Sequence, residues 1–185
     1  MSSAAPWEDE PDDFYMTVCG LPVRGHRHRF AYNWCGYVGV PRSHPLYGHQ
    51  FGDAVPHPAG FMDRTLAINE VGVIGLLHAL VTHRTWGDGY APISLIFTAH
   101  GGVTFSDAFS GDPEHWYFGF DCGHAGDLQP GMIVHAFDRE WMLRTKVYRT
   151  MEYVQGECLH LAEQLAGYGK EALDEAAQQH SKHHE

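Results

Sequence analysis

Two short stretches of this chain gather residue types that can do chemistry: HGG at 100–102 and DCGHAGD at 121–127. Between them they carry two imidazoles (His100, His124), a thiol (Cys122) and two carboxylates (Asp121, Asp127), with Asp107 further off. Thiolate, imidazole and carboxylate are all competent zinc ligands, yet structural zinc sites show close pairs such as CxxC or HxxxH, and Cys122-Gly-His124 shows neither. The spacing therefore gives no reason to expect a bound metal, and no cofactor is named by it. A Cys122–His124 nucleophile pair needs a sharp bend, because residues two apart on an extended chain do not reach one another. Ser106 lacks the G-x-S-x-G elbow that exposes a catalytic serine. These patterns fix no catalytic residue.

A binding pocket asks for less. Aromatic faces at Trp116, Tyr117 and Phe118, main-chain donors at Gly101, Gly102, Gly123 and Gly126, and His or Arg side chains suit a small anionic or nucleotide-like ligand. The expected ligand-binding set is His100, Gly101, Gly102, Trp116, Tyr117, Asp121, Cys122, His124 and Asp127. Two alternatives stand beside it. In one, His100, His124 and Asp127 take acid–base or metal roles in a hydrolase or transferase, which requires the three side chains to converge. In the other, Asp121 and Asp127 only hydrogen-bond their own turn.

The elements that must position these residues follow from periodicity. Tyr32, Trp34, Val38 and Val40 alternate with Asn33, Cys35 and Tyr37, the two-residue period of a strand, which Pro41 closes. Residues 42–61 are rich in Gly, Pro and His and read as an irregular loop, a common place for function. Asn69 is placed to cap a buried helix from Glu70 to about Thr82, with His78 as a hydrogen-bonded core residue. ISLIFTA (93–99) and VTFSD (103–107) read as strands joined by a tight turn at HGG, and WYFGFDC (116–122) as a third. Met151, Val154, Cys158, Leu161 and Leu165 recur at three- and four-residue steps, which predicts an amphipathic helix covering a sheet. Arg149, Glu152, Glu163 and Gln164 would face water, and Gly167 and Gly169 would end the helix. The expected architecture is α+β: one domain at 14–169, an antiparallel or mixed sheet packed by one or two helices including the C-terminal one. An acidic flexible tail (1–13) and a flexible C-terminal tail (170–185) would flank it.

The chain has 185 residues and a formal net charge of −11, but most of that net charge sits at the ends. WEDEPDD (7–13) holds five of them, so the body is only mildly acidic. Binding duplex nucleic acid requires a basic face, and only RGHRHRF (24–30) offers a cluster, which reads as a solvated strand edge or an anion-binding feature. The opening MSSAAPW lacks the pattern of a secretion signal, and no run approaches the roughly 20 apolar residues of a membrane span. A cytoplasmic protein with free thiols at Cys19, Cys35, Cys122 and Cys158 is expected. The acidic ends and exposed aromatics also suit a module that binds a host protein.

HGGVTFS (100–106), HWYFGFDCGHAGD (115–127), CGYVGVPRSHPLYG (35–48) and YRTMEYVQGECLHLAEQL (148–165) resemble, in the same order, a family of small hypothetical proteins from bacteriophage and prophage genomes. The resemblance spans most of residues 35–165. It carries no catalytic residues or cofactor across. It implies a context: an accessory protein acting in the cytoplasm of a bacterial host, with a small-molecule ligand or a host protein as partner.

Overall fold

Strand β3 (Trp34–Pro41) fulfils the alternation read from its sequence, with Trp34, Val38 and Val40 fully buried on one face. It is the middle strand of a five-stranded antiparallel sheet. Beside it on one side lie β2 (Leu21–Arg27) and β1 (Asp13–Val18); on the other lie β7 (Asp112–Asp121) and the edge strand β6 (Phe105–Phe109). A separate two-stranded ribbon pairs β4 (Ala54–Pro56) with β5 (Tyr90–Pro92). The helices whose bounds fall among the described residues are α1 (Pro6–Asp9), α2 (Ile93–Ile96), α3 (Pro130–Ile133), α4 (Arg139–Thr145) and α5 (Met151–Lys182). This computed structural model describes residues 5–58, 60–61, 72–73, 77, 89–133 and 139–182, with side chains as far as Lys170. The result is a single α+β domain, as its patterning implied. No helix among the described residues is long and apolar enough to cross a membrane.

Helix α5 lies across the inner face of the sheet, and its stripe Val154, Cys158, Leu161 and Leu165 is wholly buried there. Burying each large apolar side chain contributes about 1.5–3 kcal/mol, so this seam is a main source of stability. Gly36 sets how closely helix and sheet approach: a Cβ there would lie 2.6 Å from both Cys158 Sγ and the Phe120 ring.

The outer face carries an aromatic cluster in place of a helix. Tyr37 packs edge-on against Phe105 and Phe109, and Arg24 lies 4.8 Å above the Tyr117 ring. Arg24 also pairs with Asp112 at 2.8 Å, and the Tyr117 hydroxyl donates to the same carboxylate. Burial opposes ionisation of Asp112, but hydrogen bonds from Tyr117 and His115, with the charges of His115 and Arg24, outweigh it and depress its pKa. A depressed carboxylate stabilises the fold above its unfolded-state value of about 3.9 and loses that contribution as pH falls through the folded value. Unfolding free energy is thus expected to fall with pH below about 4, and Asp112→Asn to flatten that slope in urea titrations run at each pH.

Several expectations are corrected. Residues 5–13 are not a free tail: Glu10 accepts hydrogen bonds from Trp34, Tyr148 and the Met151 amide, and Trp7 packs against Tyr148. Strand β2 is interior, so RGHRHRF is no solvated edge; Arg27 is buried and bonded to the Trp7 and Glu10 carbonyls. Residues 93–96 form a helical turn where a strand was expected, because the fully buried Ile93–Ile96 run carries no alternation to hold it extended. Helix α5 continues through Gly167 and Gly169 to Lys182, so 170–182 is helical. The helix expected over 70–82, with His78, lies outside the described residues apart from the helical Gly72, Val73 and Leu77.

Candidate functional site

The HGG segment forms the tight turn its glycines imply. Gly101 and Gly102 adopt φ values of +68° and +92°, and the Gly102 amide donates to the Ala99 carbonyl at 2.9 Å. Only glycine takes up such angles without strain. The turn leads from α2 into β6, so it joins a helical turn to a strand and no 93–99 strand pairs with β7.

Past the end of β7 the chain makes a second turn, closed by Asp127 N–H to the His124 carbonyl at 2.9 Å. A short parallel bridge pairs Asp127 with Val147, through Leu128 N–H to the Val147 carbonyl and Val147 N–H to the Gly126 carbonyl. That bridge sets the approach to α5 beside the turn and delivers Arg149 to Asp127. Thr150 starts the helix, its hydroxyl accepting from the Tyr153 amide.

These three segments meet at Asp127, which is about 1% exposed. Its Oδ2 lies 2.8 Å from His100 Nε2, accepts the His124 amide at 3.0 Å, and stands 3.5 Å from His124 Nδ1. Its Oδ1 accepts from Arg149 Nε at 2.9 Å. His100 meets the Tyr153 hydroxyl through Nδ1 at 3.0 Å, completing a chain from Tyr153 through His100 and Asp127 to Arg149. Burial works against the Asp127 charge, but hydrogen bonds from His100, His124 and Arg149 prevail and hold its carboxyl far below the usual range. The same carboxylate raises the His124 imidazole above its ordinary value, more than burial lowers it. Burial and the nearby Glu157 push the Tyr153 hydroxyl up to about 12.

His100, Arg149 and Tyr153 also wall a cavity of about 360 Å³, together with Thr98, Ala99, Glu157 and His160. The terminal nitrogens of Arg149 carry no hydrogen bond among the described residues, although its guanidinium lies 4.9 Å from the centre of the Tyr153 ring. Gln164 fixes the cavity floor to the helix by clamping Thr98: its Oε1 accepts the Thr98 amide and its Nε2 donates to the Thr98 carbonyl, both at 2.9 Å. Gln164 was expected in water and is a structural tie.

The expected ligand set is therefore split. His100, Gly101, Gly102, His124 and Asp127 come together, and the convergence required by a His/Asp reading is met. Cys122 is buried beneath them, and burial, reinforced by the Asp127 charge, raises its pKa, so it is held as a thiol and not as a nucleophilic thiolate. Trp116 points to the far end of β7, where its indole donates to the His49 carbonyl in the 42–61 loop. Tyr117 belongs to the outer aromatic cluster, and Asp121 accepts the Gly123 amide and lines a separate outer cavity with His28, Asn33 and Gln129. Asp107 is exposed and bonds the next amide. None of these can stack on or hold a ligand at His100. Arg149, Tyr153, Glu157 and His160 were missed, although their spacing along the chain is that of one helix face.

Gly101 supports the site by what it lacks. A Cβ there would collide with the His124 ring, and the backbone angle is unfavourable to any other residue. Gly101→Ala is expected to cost about 1–2 kcal/mol in urea unfolding and to move His124 off Asp127, visible as a changed His124 titration by NMR.

No protein-family model, curated protein or solved structure matches this chain.

Proposed function

We propose that the cavity at His100 binds a small anionic molecule, phosphate-bearing or nucleotide-like, and that the His–Asp cluster in its wall makes the protein a hydrolase or transferase acting on that molecule. The observation that carries this reading is the convergence of His100, His124 and Asp127, with Arg149 joining the cluster to the cavity. Each resident has a role. Arg149, anchored through Nε, offers its terminal N–H groups to an anion. Asp127 orients His100 and His124 and remains ionised while doing so. Tyr153 and the imidazoles supply groups for proton transfer or for polarising the ligand. Glu157, one helical turn beyond Tyr153 in the same lining, favours a ligand that also presents a hydroxyl or amine donor. Stacking on Trp116 or Tyr117 has no place in it. The phage and prophage resemblance supplies the setting on this reading: an accessory enzyme acting on a small metabolite within a bacterial host.

The test is a thermal titration of the native protein with pyrophosphate and with nucleoside monophosphates. At a hundredfold excess over Kd, binding to the folded state contributes about 2.7 kcal/mol, which for a chain of this size is a rise of roughly 5–10 °C in Tm. Arg149→Gln is expected to abolish the ligand-dependent rise, whatever it does to the baseline. No rise with any of these compounds, or an equal rise in the variant, overturns the proposal.

A further inference from the structure

We propose that His100 Nε2, His124 Nδ1 and Asp127 Oδ2 form a site for one divalent transition-metal ion, resting on the functional reading above and naming the cofactor of that site. One donor atom from each of the three residues lies within 4.8 Å of the others, and Asp127 Oδ2 stands 2.8 Å from His100 Nε2 and 3.5 Å from His124 Nδ1. Ligands held about 2.0–2.2 Å from a common ion sit roughly 3–3.5 Å apart, so only small side-chain rotations separate this arrangement from ligation.

Three further observations point the same way. The first is an underused donor or ligand atom: His124 Nδ1 is shielded from solvent and makes no hydrogen bond of good geometry, its nearest polar neighbour being Asp127 Oδ2 at 3.5 Å. A solvent-shielded ring nitrogen held only loosely against a carboxylate is unusual, and an ion between the two would satisfy both. The second is the outer contacts. A ligating imidazole normally donates its other ring N–H, and His100 Nδ1 faces the Tyr153 hydroxyl. With Nε2 on an ion, the His100 ring proton would sit on Nδ1, where the Tyr153 oxygen would accept it. The second oxygen of Asp127 is fixed by Arg149 in the same way. The third is proximity: His100, one of the three ligands, also lines the cavity, so the ion would sit beside it.

The donor set restricts the ion. Two imidazoles and one carboxylate suit zinc with an open catalytic position, or iron(II) in the facial arrangement of two histidines and a carboxylate, and disfavour calcium or magnesium, which take oxygen ligands. The sequence offers these three residues only as an alternative, because the ligands come from two separate turns, 24 residues apart, and show no close-pair ligand spacing.

The experiment is a cobalt(II) titration of EDTA-treated full-length protein, followed by visible absorption and by native mass spectrometry. Wild type is expected to take up one Co(II) per chain with d–d bands of a low-coordinate nitrogen–oxygen site. His124→Gln and His100→Gln, checked for folding by circular dichroism, are expected to bind at least tenfold more weakly and lose those bands, and His26→Ala on the outer face to change nothing. Because histidines also sit at 180, 183 and 184, uptake equal in wild type and both ligand variants means binding elsewhere and overturns the proposal, as does no uptake. Repeating the pyrophosphate titration on metal-free protein separates the two claims: an Arg149-dependent Tm rise without ion binding leaves the anion reading standing alone. Ion binding with no response to any phosphate compound sinks that reading and leaves the metal site.

Discussion

Asp127→Ala is expected to lower the unfolding free energy by about 3–5 kcal/mol, the range for breaking a buried ion pair from one side. One carboxylate serves His100, the His124 amide and Arg149, and its removal leaves the Arg149 charge and a main-chain donor unpaired. For a chain of this length that corresponds to a drop of roughly 6–20 °C in Tm. Asp127→Asn separates shape from charge. It keeps an acceptor oxygen but presents an amide donor to groups that are themselves donors, so it should recover less than half the loss. Urea unfolding of the three proteins at pH 7 checks both statements. A loss below 1 kcal/mol for the alanine variant would show that the cluster is not the hub its distances describe.

Glu10→Ala is expected to cost about 2–4 kcal/mol, an unusually large effect for a residue ten positions from the chain start. Glu10 Oε2 accepts the Trp34 indole at 2.9 Å and the Tyr148 hydroxyl at 2.6 Å, while Oε1 accepts the Met151 amide at 2.8 Å, capping α5 from outside the helix. All three partners donate, so Glu10→Gln turns an N–H₂ toward donors and should restore only part of the stability. Since Tyr148 adjoins Arg149, the variant should also weaken pyrophosphate binding several-fold; differential scanning calorimetry with and without pyrophosphate reads both effects.

The sheet was legible where residues alternate on one buried face. Trp34, Val38 and Val40 in β3 announce themselves by a two-residue period, and Val154, Cys158, Leu161 and Leu165 in α5 by a period near 3.6. Ile93–Ile96 was not legible, because a fully buried apolar run has the same composition in a helical turn as in a strand. Glu10 was misread for a related reason: among four other acids in seven residues, nothing in sequence distinguishes the one carboxylate that three donors from distant elements will reach.

At the site, the glycine turns and the need for His100, His124 and Asp127 to converge were readable. The route by which they converge was not. It depends on the Asp127–Val147 bridge, a contact between a turn and the run-in to a helix that leaves no periodic trace. Tyr153, Glu157, His160 and Gln164 follow steps of three and four along one face of α5, and Arg149 extends that spacing just ahead of the helix, a polar stripe that looks like an ordinary wet helix surface. A signal was present nonetheless. An Arg, a Tyr and a Glu four residues apart, with a His and a Gln on the same face, are richer in hydrogen-bonding groups than a solvated face requires. Trp116 and Tyr117 mislead in the opposite sense: adjacent strand residues point to opposite faces, so they could not both have faced one ligand.

The measurement that bears most directly on the central claim is a pyrophosphate titration followed through the histidine side-chain resonances by proton–carbon NMR, with His100, His124, His160 and His26 assigned by single substitutions. Saturable shifts at His100, His124 and His160, with His26 on the outer face unmoved, are the predicted result. Saturable shifts confined to outer-face histidines, or no saturable shift at His100, would contradict it.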